Sequence, residues 1–177
     1  MKSFHNPVIV WCLVIVSMVF AACQSTADQP KTADSQMREN SMDITFEKLE
    51  IIELLNRHQI YIDLKNAGRY ADIYAPDGRY ESPFASAQGT SELVAMSQKL
   101  EASGFTRNKR HFNGPMMIDI DGDRATALSY WWVADYTEKQ PVVFATGTYR
   151  DKLHKINGQW KITHRIQEGD SDESAKK

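Results

Sequence analysis

The apolar residues of this chain change their period once, and that change limits what the chain can fold into. In "FEKLEIIELLNRHQIYIDLKNAG", Leu49, Ile52, Leu55, Gln59 and Ile62 recur at three- and four-residue spacing, and Ile51, Leu54, His58 and Tyr61 widen the stripe. This is an amphipathic helix, with Gly68 as its stop signal. "RYADIYAPDG" reads as a short second helix ended by the turn "PDG", and "RYESPF" as a short strand. "TSELVAMSQKLEASG" is a third helix, with Thr90 or Ser91 as its cap and Gly104 beyond its end. From "RHFNGPMMIDI" onward the period becomes two. "RATALSYWWVADY", "PVVFATGTYRDKLHKI" and "QWKITHRIQ" follow as strands, joined in part by "DGD" and "NG", whose residues tolerate the positive φ of tight hairpins. Helices followed by a long antiparallel meander predict a single α+β domain with helices packed on one face of a curved sheet.

The two ends do not take part in this pattern. Lys2 precedes an apolar run from Pro7 to Ala22, too short to cross a bilayer comfortably and suited to the h-region of a secretory signal. Ala21 and Ala22 then lead into Cys23, and "FAAC" resembles the lipobox of bacterial lipoproteins, in which the cysteine carries the lipid. An uncleaved membrane anchor is the alternative, and either way the domain lies outside the cytoplasm. The expected division is a signal peptide over 1–22, a disordered tether over 23–45, the domain over 46–168 and a disordered tail over 169–177. The expected location is the cell envelope, with lipid on Cys23 holding the chain to a membrane that faces the periplasm or the exterior.

Cysteine and charge usage exclude several functions. The chain has 2 cysteines, Cys12 in the signal and Cys23 at its end, so the domain has no disulfide, thiol nucleophile or cysteine metal site. Losing residues 1–22 removes one charge, Lys2, and leaves 20 basic residues against 23 acidic ones. That balance does not favour nucleic acid, so Arg107, Lys109 and Arg110 read as a solvated loop. His58, His111, His154 and His164 lack the close spacing of metal ligands, and no metal or other cofactor is expected. "DIDGDR" has its glycine in the wrong place for a calcium loop and is a hairpin turn. Ser129, Thr146 and Thr148 stand in no nucleophile motif.

Asp63 falls four residues after Gln59, at the edge of the helical stripe, and so points toward the sheet. A carboxylate in that position requires a hydrogen-bonding partner. His111 leads the first long strand, and an imidazole N–H is a suitable partner. On the residues alone, a capping Asp63 and a core His111 remain an alternative to a working pair.

The order of elements resembles the SnoaL-like branch of the nuclear-transport-factor-2-like superfamily over roughly residues 46–167. "YIDLKNAGRYADIYAPDGRYESP" resembles the family's first helix and the segment after it. "RHFNGPMMIDIDGDRATA" resembles its histidine-led strand, and "GTYRDKLHKINGQWKITHR" its closing hairpin. The resemblance implies a cone in which a bent sheet wraps a long first helix around a pocket for a small, mostly apolar molecule. Scytalone dehydratase and hexachlorocyclohexane dehydrochlorinase, two enzymes of the family, carry a catalytic aspartate and histidine at the positions of Asp63 and His111. It therefore implies a cofactor-independent lyase or isomerase in which Asp63 orients His111 for proton abstraction. A non-catalytic binding or interaction module of the envelope is the alternative. Tyr80 matches a water-binding tyrosine. Tyr149 stands where an asparagine is expected, and Asp135 near the place of a second histidine. Trp131 is expected to line the cone. "YWW" (residues 130–132) puts large aromatics on both faces of one strand, and the outer face needs cover, so a homodimer or homotrimer is expected. The small residues Val143, Ala145 and Gly147 either leave room for a ligand or mark close packing.

Overall fold

The computed structural model describes residues 32–170. Residues 1–31, on which the expected signal peptide and the lipid site at Cys23 fall, and the segment after Asp170 lie outside the described residues. The chain divides into two units, the second of which begins at Ser41. Helix α1 is Ala33–Asp63, and its turns up to Asn40 belong to the first unit, where all of them are exposed. The helix thus begins inside the stretch 23–45 expected to be an unstructured tether. The reason is local: the Ser35 backbone N–H donates to Thr32 Oγ1 at 3.3 Å, capping a run that contains no helix breaker.

Within the second unit, α1 buries Ile51, Leu54, Leu55, His58 and Gln59. The stripe read from the sequence is right but slightly rotated, because Leu49 is exposed. Helix α2 (Ala67–Asp72) is capped by Asn66, whose side chain accepts from the Arg69 N–H. Strand β1 (Tyr74–Glu81) begins immediately after it. "PDG", expected as a turn, instead forms a bulge inside β1: Tyr74 pairs with Ile162 and Arg79 with His164, so the residues between them bow out of register. Gly78 is required there, since a Cβ would lie 2.8 Å from the Ile162 carbonyl oxygen.

Strand β2 (Ser86–Gln88) leads into helix α3 (Gly89–Ala102). Gln88, rather than Thr90 or Ser91, is the cap residue of α3, and its backbone N–H donates to Glu92 Oε2 at 2.9 Å. The expected strands follow as β3 (Lys109–Asp121), β4 (Arg124–Asp135), β5 (Val142–Ile156) and β6 (Gln159–Gly169). Gly122 carries positive φ in the β3–β4 turn, and Asn157 and Gly158 both do so in the β5–β6 turn. The curved six-stranded sheet has the order β2-β1-β6-β5-β4-β3 and is not closed. Every pair in it is antiparallel except β1 with β6.

The main core joins Ile51 and Leu55 of α1 to Tyr70, Leu93, Trp160 and Ile162. Each fully buried aliphatic side chain contributes about 1.5–3 kcal/mol. Polar contacts fix the placement of α1 at two points. Near Ser41, Glu47 accepts from Lys155 Nζ and Trp160 Nε1. The Lys155 bond is the main reason the Glu47 carboxyl lies below its ordinary range; burial opposes it, and the Trp160 bond adds to the lowering. Toward the other end, Asn113 Nδ2 donates to the Leu55 carbonyl at 2.9 Å. The helix therefore runs from the β5–β6 hairpin across to β3.

Candidate active site

Asp63 is the last residue of α1, and His111 is the third of β3. His111 Nδ1 lies 2.8 Å from Asp63 Oδ1, and the His111 backbone N–H donates to Asp63 Oδ2 at 3.1 Å. Both side chains are 10% exposed. A carboxylate can only accept, so Nδ1 carries the proton of the neutral ring and Nε2 presents a lone pair. That Nε2 has no hydrogen-bond partner among the described residues. A carboxylate-oriented imidazole with one free nitrogen is suited to taking a proton.

Behind the pair, the inner face of the sheet carries polar and aromatic side chains among its apolar ones. His58 is 1% exposed and is surrounded by Tyr70, Tyr74, Tyr80 and Tyr149, with ring centroids 5.0–6.3 Å away. Burial keeps its imidazole well below the usual histidine range, and Arg165 reinforces the effect. Burial likewise raises the Tyr149 hydroxyl above its usual range, an effect the Arg165 charge opposes. Arg165 and Asp151 are wholly buried, and Arg165 Nε and Nη2 donate to the two Asp151 carboxylate oxygens at 2.6 and 2.8 Å. The same guanidinium lies 4.2 Å from the Tyr149 ring centre.

Of the residues expected at the site, Asp63 and His111 touch each other, and Tyr80, Tyr149 and Trp131 lie within this buried cluster. The Tyr80 hydroxyl donates to Gln167 Oε1, and the Trp131 ring packs 5.7 Å from Tyr149. Asp135 stands apart at the end of β4, where it pairs with Lys109 at 3.3 Å and accepts from both the N–H and the hydroxyl of Thr137. The Thr137 bonds are the main reason its carboxyl is held below the usual range. Lys109, read as part of a solvated loop, also lies 4.6 Å from the Phe144 ring centre. Gly147 is a close-packing position rather than room for a ligand: a Cβ there would collide with the Glu168 carbonyl oxygen and come within 2.6 Å of the Trp131 ring. Two surface cavities, of about 530 and about 410 Å³, are lined by neither His111 nor Asp63.

The sequence reading missed Arg165, Asp151, Gln59 and Asn113 as members of the cluster. Strict alternation from Trp160 and Ile162 puts His164 inside, but Leu153 pairs with Ile162 and Lys152 with His164. The extra residue, Thr163, shifts the parity and turns Arg165 inward. Asp151 could have been found, since it alternates with Tyr149 and Leu153 on the inner face.

A family model for the SnoaL-like domain matches residues 46–166. The chain belongs to the SnoaL-like domain family. Solved structures agree on its fold. A Nostoc punctiforme protein with a cystatin-like fold is 29% identical, at TM-score 0.66, over 72% of this chain and 93% of its own. An NTF2-like protein from Novosphingobium aromaticivorans is 19% identical, at TM-score 0.71, over 83% of this chain and 96% of its own. A candidate scytalone dehydratase from the same organism is 20% identical, at TM-score 0.62, over 74% of this chain and 89% of its own. No functionally curated protein matches the chain. The SnoaL-like domain here thus has the fold of its relatives, with His58, Asp151 and Arg165 buried inside it.

Proposed function

We propose that the protein is a cofactor-independent lyase or isomerase of the cell envelope, carried on lipid at Cys23. In this reading His111 Nε2 removes a proton next to an activating group of a small molecule. Asp63 holds the ring and stabilises the imidazolium that forms. Elimination or isomerisation follows from the resulting carbanion. Tyr80 and Tyr149 hold a polar group or water. The observation that carries this reading is the 2.8 Å contact between His111 Nδ1 and Asp63 Oδ1, which leaves Nε2 bare. General-base catalysis of this kind contributes on the order of 10²–10⁴-fold in rate. The fold does not by itself establish an activity, so the reading rests on the pair.

The aromatic outer face supports self-association into a homodimer or homotrimer. Phe112 and Trp132 stack there at 5.3 Å, and Tyr130 is 57% exposed. The test of function is to incubate a cell extract with the wild-type protein and with His111→Ala, then compare the metabolites by mass spectrometry. A compound that isomerises or loses a small molecule only with the wild type supports catalysis. An unchanged profile, with compounds retained equally by both proteins, supports the non-catalytic binding module instead.

A further inference from the structure

Among the described residues, four buried side-chain atoms have no hydrogen-bond partner: His58 Nε2, Ser129 Oγ, Trp131 Nε1 and Arg165 Nη1. All four belong to neighbours of Tyr149. Its ring centre is 5.6 Å from that of His58, 5.7 Å from that of Trp131 and 4.2 Å from the Arg165 guanidinium. Ser129 is its register partner across β4 and β5. A buried polar group without a partner costs about 1–3 kcal/mol, so four around one ring point to something that binds there.

The hydrogen-bond chain fixes which of the four accept. The Leu55 carbonyl can only accept, so Asn113 Nδ2 donates to it and Asn113 Oδ1 faces Gln59 Nε2, which donates at 2.8 Å. Gln59 Oε1 is left to accept from His58 Nδ1 at 3.3 Å. His58 therefore carries its proton on Nδ1, and Nε2 is a lone pair. The other three, Trp131 N–H, Arg165 Nη1–H and the Ser129 hydroxyl, can donate.

We propose that this cluster of unpaired groups is a subsite for a carboxylic acid group, which binds as a carboxylate together with one proton held on His58 Nε2. The inference rests on the reading of the interior as the ligand site and adds the ligand class. The carboxylate oxygens accept from Trp131 and Arg165, and the protonated His58 Nε2 donates to one of them. Charge balance selects this chemistry. Arg165 already cancels Asp151, so a lone anion would be buried unpaired, at a cost of several kcal/mol. An anion and a proton together leave the site neutral. A ketone would leave His58 Nε2 bare, an alcohol would leave donors unmet, and a phosphate carries more charge than one proton offsets.

The other groups facing His58 do not supply that proton. Tyr70 on α2, Tyr74 and Tyr80 on β1 and Tyr149 on β5 all have hydroxyls raised above their usual range by burial, and they stay neutral. Arg165 on β6 stays charged beside Asp151 on β5. His111 on β3 is tied to Asp63 at the end of α1.

Calorimetric titration of the purified protein with acetate and benzoate, beside benzamide and benzyl alcohol, tests this. Two buffers of different ionisation heat at pH 7 report proton exchange. The expected result is carboxylate binding with uptake of about one proton per site, weakening about tenfold for each pH unit above neutrality. In His58→Gln, uptake disappears and binding weakens by at least about tenfold, whereas Trp131→Phe binds more weakly but keeps the uptake. Failure of both carboxylates to bind, equal binding of benzamide, or carboxylate binding without proton uptake would overturn the proposal. The wild-type pH slope needs no variant to fold. Asp63→Asn separates the two readings: it keeps the uptake if the subsite is real, whatever it does to turnover.

Discussion

Asp63 grips His111 at two places, with Oδ1 on the ring nitrogen Nδ1 and Oδ2 on the backbone N–H. A single carboxylate thus sets both the tautomer of the ring and the start of the strand that presents it. The two effects separate on mutation. Asn at position 63 still accepts from the backbone, but its amide N–H faces Nδ1 and demands a lone pair there. Asp63→Asn is expected to keep the fold and to move the His111 proton from Nδ1 to Nε2. Imidazole ¹⁵N shifts report the tautomer directly. Turnover in the extract assay should fall about 10²–10⁴-fold. A His111 ring that keeps the same tautomer in both proteins would remove the support for proton abstraction.

The Arg165–Asp151 pair gives a second expectation. Removing one partner leaves the other as a buried, uncompensated charge. Asp151→Ala or Arg165→Met should each lower unfolding stability by about 3–5 kcal/mol, and Asp151→Leu with Arg165→Met should cost less than either alone. Urea unfolding of the three variants measures this.

His58 makes stability depend on pH. Its folded-state pKa is depressed, chiefly by burial, so the unfolded chain binds more protons below the ordinary histidine value. Its contribution is therefore complete above about pH 6.5 and is lost as the pH falls from there toward the folded value, at about 1.4 kcal/mol per unit. The urea midpoint should drop between pH 7 and pH 5.5, and His58→Gln should flatten that part of the drop. Identical slopes in the two proteins would contradict the assignment.

Gly147→Ala should destabilise the protein by about 1–3 kcal/mol and change the fluorescence of Trp131. The new methyl group meets both the Glu168 carbonyl and the Trp131 ring, and the backbone oxygen cannot step aside. Thermal melting and tryptophan emission give the two readouts.

Much of the fold could be read from periodicity, because long elements repeat their signal. The stripe of α1, the four long strands and the positive-φ residues of the two tight hairpins all lay in the chain. The meeting of Asp63 with His111 was implied by the family resemblance, since the residues alone left a capping Asp63 and a core His111 open. Part of what escaped depended on irregular register. The bulge at "PDG" turned an expected turn into strand, and the bulge at Thr163 moved Arg165 inward. A bulge changes which face every later side chain takes, and no local composition announces it.

The one parallel pairing, β1 with β6, joins the start of the sheet to the end of the chain. Tyr74 and Tyr80 cannot meet Ile162 and Arg165 until nearly the whole sequence has been made. Contacts so distant along a chain form slowly, and an incomplete copy lacks the strand that links β1 to β5. A nascent copy therefore cannot lock its sheet early.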